Sequence, residues 1–242
     1  MLRQDDTQPQ GRGSGQARLG PAGAGTLGQR VYAVLRQAIL NLDYAPGEIL
    51  RKPEICASLG VSRAPVADAI ARLAVEGLVT VVPQSGSFVA RFSMHEIREG
   101  AFLREAIEVA AAELVAETVT EPQIEELRRS LRLQTALVEA GDFAGFYRLD
   151  AEMHELILSF TGFQRPALVA ESAWLHVNRA RQLLLPVPGR VRATLDEHTA
   201  IVDAIAARDP EAARRAVRCH LRQLLQNLEP LERGRPELFD PA

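Results

Sequence analysis

Cysteine is scarce in this chain, which has two cysteines among 242 residues. Cys56 and Cys219 lie in separate segments, and the sequence contains no CxxC pair. A small scaffold held together by disulfides needs more cysteines than this. We therefore expect no disulfide framework and a location in the reducing cytoplasm.

Long apolar runs are also absent. No stretch approaches the roughly 20 apolar residues of a membrane-spanning helix. The N-terminus lacks the apolar segment of a secretory signal peptide, so we expect no membrane partner. Hydrophobic residues still make up 47% of the chain, which is enough for ordinary globular cores, and the length allows two modest domains.

A strong excess of one charge is missing too, since the formal net charge is −3. The distribution of charge is more informative than its total. Residues 27–93 carry seven Arg or Lys against five Asp or Glu, whereas residues from 94 onward carry 18 against 24. The small basic excess therefore lies in the N-terminal part, where contacts to phosphates would need it.

Both ends of the chain are predicted to be tails. Residues 1–26 are rich in Gly, Gln, Pro and Arg and have almost no large apolar side chains. Such a segment cannot bury enough surface to offset the entropy cost of ordering it, so we expect a disordered tail. Residues 232–242 are predicted to form a frayed C-terminal tail.

Residues 27–93 have the pattern of three helices followed by a β-hairpin. Apolar residues recur at helical spacing over 27–42, and two further helices are joined at Gly60, which can adopt the positive φ that ends a helix. Ser62 is a suitable N-cap for the third helix. Residues 78–82 and 88–90 are predicted to be strands joined by a turn. This order indicates a winged helix-turn-helix.

The geometry of this motif suits DNA. Its second paired helix fits the major groove with its first residues at the base edges, where Arg63 can bond a guanine or contact a phosphate. The wing tip at residues 84–86 is small enough to approach the minor groove or the backbone. The candidate DNA-binding residues are Arg51, Ser62, Arg63, Ala64, Ser85 and Gly86.

Three spaced motifs in this region carry a resemblance to a known family. They are APGE at 45–48, LGVSRAPV at 59–66 and LAVEGLV at 73–79. Together they resemble the DNA-binding domain of GntR-type bacterial transcription regulators, over about residues 27–92. The family usually has Arg where Ala67 stands, and that Arg commonly touches the operator. The resemblance therefore implies DNA binding with an altered operator sequence.

After residue 94 the sequence shows only helical periodicity. Breakers such as Gly141-Asp142 and Asp209-Pro210 separate the helices. The predicted helices cover residues 95–119, 121–140, 142–161, 164–185, 190–207 and 210–230. Six helices with short connections predict an all-α antiparallel bundle over residues 94–231, and the fold class is mainly α.

Three of these helices place polar residues where apolar ones are expected. Asp150 and His154 lie one turn apart on the stripe of helix 142–161, and His198 and His220 lie on the stripes of the last two helices. One such histidine is more often a hydrogen-bonded core residue than a metal ligand. A single divalent ion would satisfy all four groups. The set suits Zn²⁺ first, with Ni²⁺, Mn²⁺ or Fe²⁺ as alternatives.

This part resembles the FCD domain, the effector and dimerisation domain of the FadR subgroup of GntR regulators, over about residues 96–228. The resemblance rests on Asp150-x-x-x-His154, Glu197-His198 and His220. It implies that the Asp and the three His bind a divalent metal, and that the metal helps to hold a small carboxylate effector. The ligand set argues against the long-chain acyl-CoA branch.

Two arginines are candidates for binding the effector carboxylate. Arg181 lies on an apolar stripe that would bury its guanidinium, and Arg104 stands where related proteins commonly have Arg. The predicted effector-binding residues are Arg104, Asn178 and Arg181. An internal salt bridge, such as that of Arg104 with Glu108 or Glu105, is the competing explanation.

Three functions compete for this sequence. The leading one is a transcriptional repressor that binds a palindromic operator as a homodimer and responds to a small organic acid. The second is a regulator for which the metal ion itself is the signal. The third is a metal-dependent hydrolase with Glu197 as base. No other motif indicates chemistry, so we expect no enzymatic activity.

Overall fold

The computed structural model describes residues 25–166, 169, 174–184, 187 and 189–241. These residues form two compact units, the first ending at Arg91 and the second beginning at Phe92. The tail predicted for residues 1–26 lies, up to residue 24, outside the described residues. Within the described part of the chain, no helix is both long enough and apolar enough to cross a membrane.

The N-terminal unit has three helices and a two-stranded antiparallel sheet. The elements are α1 (Leu27–Leu40), α2 (Lys52–Leu59), α3 (Arg63–Val75), β1 (Val79–Val82) and β2 (Gly86–Val89). In the sheet, Val79 pairs with Val89 and Val82 with Gly86. The winged helix-turn-helix prediction is confirmed, although α1 ends at residue 40 instead of 42.

Aliphatic side chains hold this unit together. Val31, Leu35, Val66 and Leu73 are all fully buried and come from α1 and α3. Burial of side chains of this size contributes roughly 1.5–3 kcal/mol each. Gly60 closes α2 with φ 66, a left-handed conformation that other residues adopt at a cost.

The second unit is built from helices. They are α4 (Met94–Thr118), α5 (Glu121–Ala140), α6 (Phe143–Phe160), α7 (Leu175–Arg181), α8 (Arg190–Ala206) and α9 (Pro210–Gly234), with 3₁₀ turns at Gln182–Leu184 and Pro236–Leu238. Helices α4 and α9 run antiparallel, because Arg98 pairs with Glu229 near one end and Glu105 with Arg222 further along. A helical domain after the wing is therefore confirmed. The two cysteines are free, as the sequence predicted.

The helix predicted over residues 164–185 is not continuous. Trp174 forms a turn ahead of α7, and a 3₁₀ turn follows Arg181. The apolar spacing around Trp174 predicted one long helix. In the structure its side chain is buried against Ala111 and Leu158, and this tertiary contact replaces helical continuity.

The prediction of a frayed C-terminal tail is wrong for the described residues. Helix α9 continues to Gly234, beyond the predicted end at 230. Phe239 is buried, with its ring centroid 5.7 Å from that of Phe92. The Phe92 N–H also donates to the carbonyl of Leu238, and the Asp240 N–H donates to the carbonyl of Phe92. One apolar ring and two backbone hydrogen bonds thus hold this segment against the start of the unit.

Candidate metal centre and DNA-binding surface

Four side chains of the ligand type meet inside the helical unit. Asp150 and His154 come from α6, His198 from α8 and His220 from α9. Each offers one ligand atom, and these atoms lie within 4.8 Å of one another. All four side chains are buried, Asp150 and His198 completely. The structure therefore brings together the four residues that the sequence predicted to share one spot.

Each histidine is held by an acceptor at Nδ1. His198 Nδ1 lies 2.7 Å from Gln134 Oε1, and His220 Nδ1 lies 2.7 Å from Glu197 Oε2. His154 Nδ1 lies 2.6 Å from a carboxylate oxygen of Glu108. These oxygens can each accept a hydrogen bond from a protonated Nδ1, and the tautomer that makes this bond leaves Nε2 with a free lone pair. Metal-binding histidines are oriented in this way.

The free Nε2 atoms point at one another and at Asp150. His154 Nε2 lies 3.2 Å from His220 Nε2 and 3.3 Å from Asp150 Oδ1. Two nitrogens bound to one Zn²⁺ at roughly 2.0–2.1 Å each lie about 3.3 Å apart in a tetrahedral site. Asp150 Oδ1 and His198 Nε2 are buried without a hydrogen-bond partner. Lone pairs gathered at such a spacing repel unless a cation lies between them, so these residues fit a divalent metal ion.

Neighbouring positive charges oppose the effect of burial on the pKa of Asp150. Burial alone raises the pKa of this carboxyl, but Arg181 and His198 hold it well below its ordinary value. Burial lowers the pKa values of both His198 and His220 well below the usual histidine value. An ionised carboxylate and neutral imidazoles are the forms that bind metals.

His154 has a different electrostatic environment. Burial alone lowers its pKa, but the Glu108 carboxylate outweighs burial and raises it. Burial opposes ionisation of Glu108 as well, yet Arg104 and His154 lower its pKa to about 2. The Glu108 carboxylate is therefore ionised at neutral pH and fixes the orientation of the His154 ring.

A cavity of about 30 Å³ adjoins the candidate metal site formed by Asp150 and the three histidines. Its lining includes Asp150 and His220, together with three arginines, and Tyr147 contributes one wall. The arginines are Arg104, Arg181 and Arg190. Two of them were predicted to bind the effector, and both are buried. The third predicted residue, Asn178, does not line the cavity and instead accepts a hydrogen bond of 3.4 Å from Arg181.

The salt bridges expected as the competing explanation are present as well. Arg104 Nε lies 2.5 Å from Glu108 Oε1, and an Arg181 amino group bonds Asp150 Oδ2. These arginines therefore have carboxylate partners and also face the cavity. The two explanations given for them from the sequence do not exclude each other.

Four residues of the site were missed from the sequence. Glu108 was considered only as a partner of Arg104, and Glu197 only as the base of the hydrolase alternative. Gln134 and Arg190 were not singled out. Gln134 is fully buried on α5, where amphipathic periodicity would favour an apolar residue, and this was the one available signal.

The candidate DNA-binding residues of the winged unit are all exposed. Ser62, Arg63 and Ala64 lie at the start of α3, and Ser85 and Gly86 lie at the wing tip. Ser62 occupies the N-cap position of α3, but its side chain makes no capping hydrogen bond, so its hydroxyl does not satisfy an α3 amide. Arg51, just ahead of α2, lies 3.4 Å from Glu54.

A polar network ties α3, the second helix of the helix-turn-helix pair, to α1. The Tyr32 hydroxyl bonds the Glu76 carboxylate, and Arg36 Nε lies 2.9 Å from the other oxygen of Glu76. The Arg72 guanidinium stacks 3.9 Å from the centre of the Tyr32 ring. These contacts fix the C-terminal end of α3 against α1, so the orientation of its exposed first turn is defined.

Comparison with known proteins agrees with both units. Residues 27–89 match the model for bacterial regulatory proteins of the gntR family, and residues 99–223 match the FCD domain. The chain belongs to the GntR family. It is therefore a DNA-binding transcriptional regulator with an FCD domain, which confirms the two resemblances noted in the sequence.

Individual relatives support the same assignment. The regulator is 35% identical over 209 residues to an HTH-type transcriptional regulator in an unstable DNA locus of Streptomyces ambofaciens, covering 86% of this chain and 88% of the relative. It is 31% identical to the HTH-type transcriptional repressor RspR of Escherichia coli K12, covering 87% and 92%. A crystal structure of a GntR regulator from Rhodococcus sp. RHA1 superposes with a TM-score of 0.70 at 26% identity, covering 82% and 97%.

Proposed function

We propose that this regulator is a repressor that binds a palindromic operator as a homodimer, and that a small carboxylate bound beside a divalent metal ion controls this binding. One observation carries the proposal. Three imidazoles with their Nδ1 atoms held by acceptors turn their Nε2 atoms toward Asp150 Oδ1, next to a cavity lined by arginines.

Asp150, His154, His198 and His220 would hold the ion, with Zn²⁺ as the first candidate and Ni²⁺, Mn²⁺ or Fe²⁺ as alternatives. When bound, such an ion supplies fixed positive charge and open coordination positions for a carboxylate oxygen. The residues around it have separate tasks. Gln134, Glu108 and Glu197 orient the imidazoles, and the arginines of the cavity attract an anion and bond it.

The winged unit would supply the operator contacts. Exposed residues at the start of α3 face the major groove in this motif, so Arg63 would read a base edge or contact a phosphate. The wing tip, Ser85 and Gly86, and Arg51 would contact the backbone. The helix-turn-helix found among the described residues reads few bases by itself, and a two-fold dimer doubles that number, which is why we propose a palindromic site.

The cavity favours a small-molecule signal over a metal signal. A sensor of metal alone needs no anion site beside the ion, whereas here three guanidinium groups line the space next to Asp150. The hydrolase alternative lacks a free base, since Glu197 accepts hydrogen bonds from Arg190 and His220. The printed name of the Escherichia coli relative, a repressor, supports the direction of regulation.

The proposal is tested by two measurements on the full chain. Elemental analysis of purified protein is expected to find one divalent ion per chain. Operator fragments selected from random DNA are then used to measure affinity with and without small organic acids, for both the metal-loaded and the chelated protein. We expect an acid to change operator affinity only when metal is present. A response to metal with no acid added would instead establish the metal as the signal.

A further inference from the structure

Every arginine of the cavity is linked to a proposed metal ligand. Arg181 bonds Asp150 directly. Arg104 bonds Glu108, which holds His154. Arg190 makes two bonds of 2.7 Å to Glu197, which holds His220 at 2.7 Å. Three separate chains of contacts thus join the arginines to the proposed metal ligands.

The formal charges of this cluster balance. Three guanidinium groups face three carboxylates, those of Asp150, Glu108 and Glu197, and metal-bound imidazoles are neutral. With neutral imidazoles, these side chains therefore carry no net formal charge. A divalent ion adds two positive charges to a space that excludes most solvent. An anion with two negative charges would restore the balance, whereas a monocarboxylate would leave one charge uncompensated.

The cavity is small. Its volume of about 30 Å³ is more than the roughly 10–15 Å³ that a cavity needs to hold one water, but far less than the roughly 300–1,000 Å³ of a pocket for a drug-sized ligand. All three arginines already bond carboxylates, so an acid that takes a two-pronged bond from one of them must separate it from its partner. The Arg190–Glu197 pair is the most exposed of the three, with side-chain exposures of 11% and 19%. The corresponding values are 5% and 4% for Arg104–Glu108, and 9% and 0% for Arg181–Asp150.

We infer that the effector of this regulator is a short dicarboxylate and that Arg190 exchanges Glu197 for its second carboxylate. This inference rests on the proposed function and adds the ligand class and a new ligand-binding residue. One carboxylate lies toward the metal ligands and the other toward Arg190, at the outer side of the cavity. Glu197 keeps its hydrogen bond from His220 Nδ1 after the exchange, so the metal ligands remain oriented.

Titration calorimetry of the zinc-loaded full-length protein tests the ligand class. Malonate and succinate are compared with propionate and butyrate, which match them in carbon number but carry one charge. We expect at least one dicarboxylate to bind about tenfold or more tightly than its partner, because a second charged hydrogen bond is formed. Metal content is measured after each titration, so that removal of zinc by the acid is not counted as binding.

The variant Arg190→Gln tests the residue. We expect it to lose most of the preference for the dicarboxylate while its metal content and its affinity for the monocarboxylate stay near wild type. Arg190→Lys, which keeps the charge but not the two-pronged geometry, should keep part of the preference. Arg192→Gln, an exposed arginine on the same helix, is the matched control and should bind both acids as wild type does.

Each other outcome decides a specific point. Equal affinities for the two acid classes, or tighter binding of inorganic phosphate, would overturn the dicarboxylate assignment while leaving the proposed function in place. Full preference in Arg190→Gln, or loss of metal from that variant, would overturn the direct contact. Binding of no carboxylate at all by the zinc-loaded wild type would instead overturn the proposed function.

Discussion

The two units of this regulator place their candidate functional residues in opposite environments. Arg63 and the wing tip are exposed, whereas Asp150 and His198 have no solvent exposure. Water satisfies a polar group at a surface, so each DNA contact acts nearly independently. A buried polar group depends on its partners, because an unsatisfied one costs roughly 1–3 kcal/mol. The comparison teaches that the candidate metal ligands depend on the side chains packed around them, whereas the candidate DNA contacts depend mainly on the helix or turn that presents them.

The two sites also differ in how far apart their residues are in the chain. Ser62, Arg63 and Ala64 are consecutive, and one N-terminal helical turn presents them together. The four candidate metal ligands lie between residues 150 and 220 of the chain, and the first of their hydrogen-bond partners in sequence is Glu108. A local element therefore builds the first site, and only tertiary packing builds the second. Four substitutions test this contrast.

His198→Ala is expected to have the largest effect. It removes one of the four ligands and should lower metal affinity by more than about 100-fold, since loss of an outer hydrogen-bond partner alone costs 10–100-fold. The effector response should disappear, while operator binding by the winged unit persists. Elemental analysis and operator titration measure both. His95→Ala, on an exposed histidine of α4, is the control and should change neither. Retention of one ion per chain in His198→Ala would show that the ligand set is misassigned.

Gln134→Leu is expected to weaken metal binding without removing a ligand. The Gln134 oxygen is the acceptor for His198 Nδ1, so its loss frees the imidazole to change tautomer. Metal affinity, measured by competition with a chelator, should fall by about 10–100-fold. Gln134→Glu keeps an acceptor and should retain most of the affinity. Equal affinities in the two variants would mean that the hydrogen bond does not position the ligand.

Arg63→Ala is expected to weaken specific operator binding by about 1–3 kcal/mol if its guanidinium bonds a base edge. If it contacts only phosphate, the loss should be the same on operator and random DNA. Metal content should not change, because the effect is confined to a surface. Arg129→Ala, on an exposed arginine of α5, serves as control. Unchanged operator affinity would show that the recognition surface is misplaced.

Ala67→Arg is expected to have the smallest effect. Ala67 is exposed on α3, at the position where the family resemblance implies an arginine. The added charge should tighten binding to any DNA and steepen the dependence of log affinity on log salt by about 0.9, the contribution of one phosphate contact. Titrations at several salt concentrations measure this slope. A slope equal to that of wild type would mean that position 67 does not face the DNA backbone.

The sequence predicted the elements of the winged unit and most helix bounds within one or two residues. It did so because the signals are local, namely the apolar spacing of α1 and α3 and the left-handed Gly60 that ends α2. It was wrong over residues 164–185 and at the C-terminal end. In those places burial of Trp174 and Phe239 against distant residues outweighed local preference.

Helical periodicity in the sequence showed which side chains face inward, because it sets the direction of each side chain once the helix is recognised. That was enough to select Asp150, His154, His198 and His220 as one set. It could not determine which atoms of those residues meet. The Nδ1 partners Glu108, Gln134 and Glu197 come from three other positions along the chain, and only the packing of α4, α5 and α8 brings them to the imidazoles. A hydrogen bond forms or fails over a few tenths of an ångström, and such distances are set by the tertiary structure.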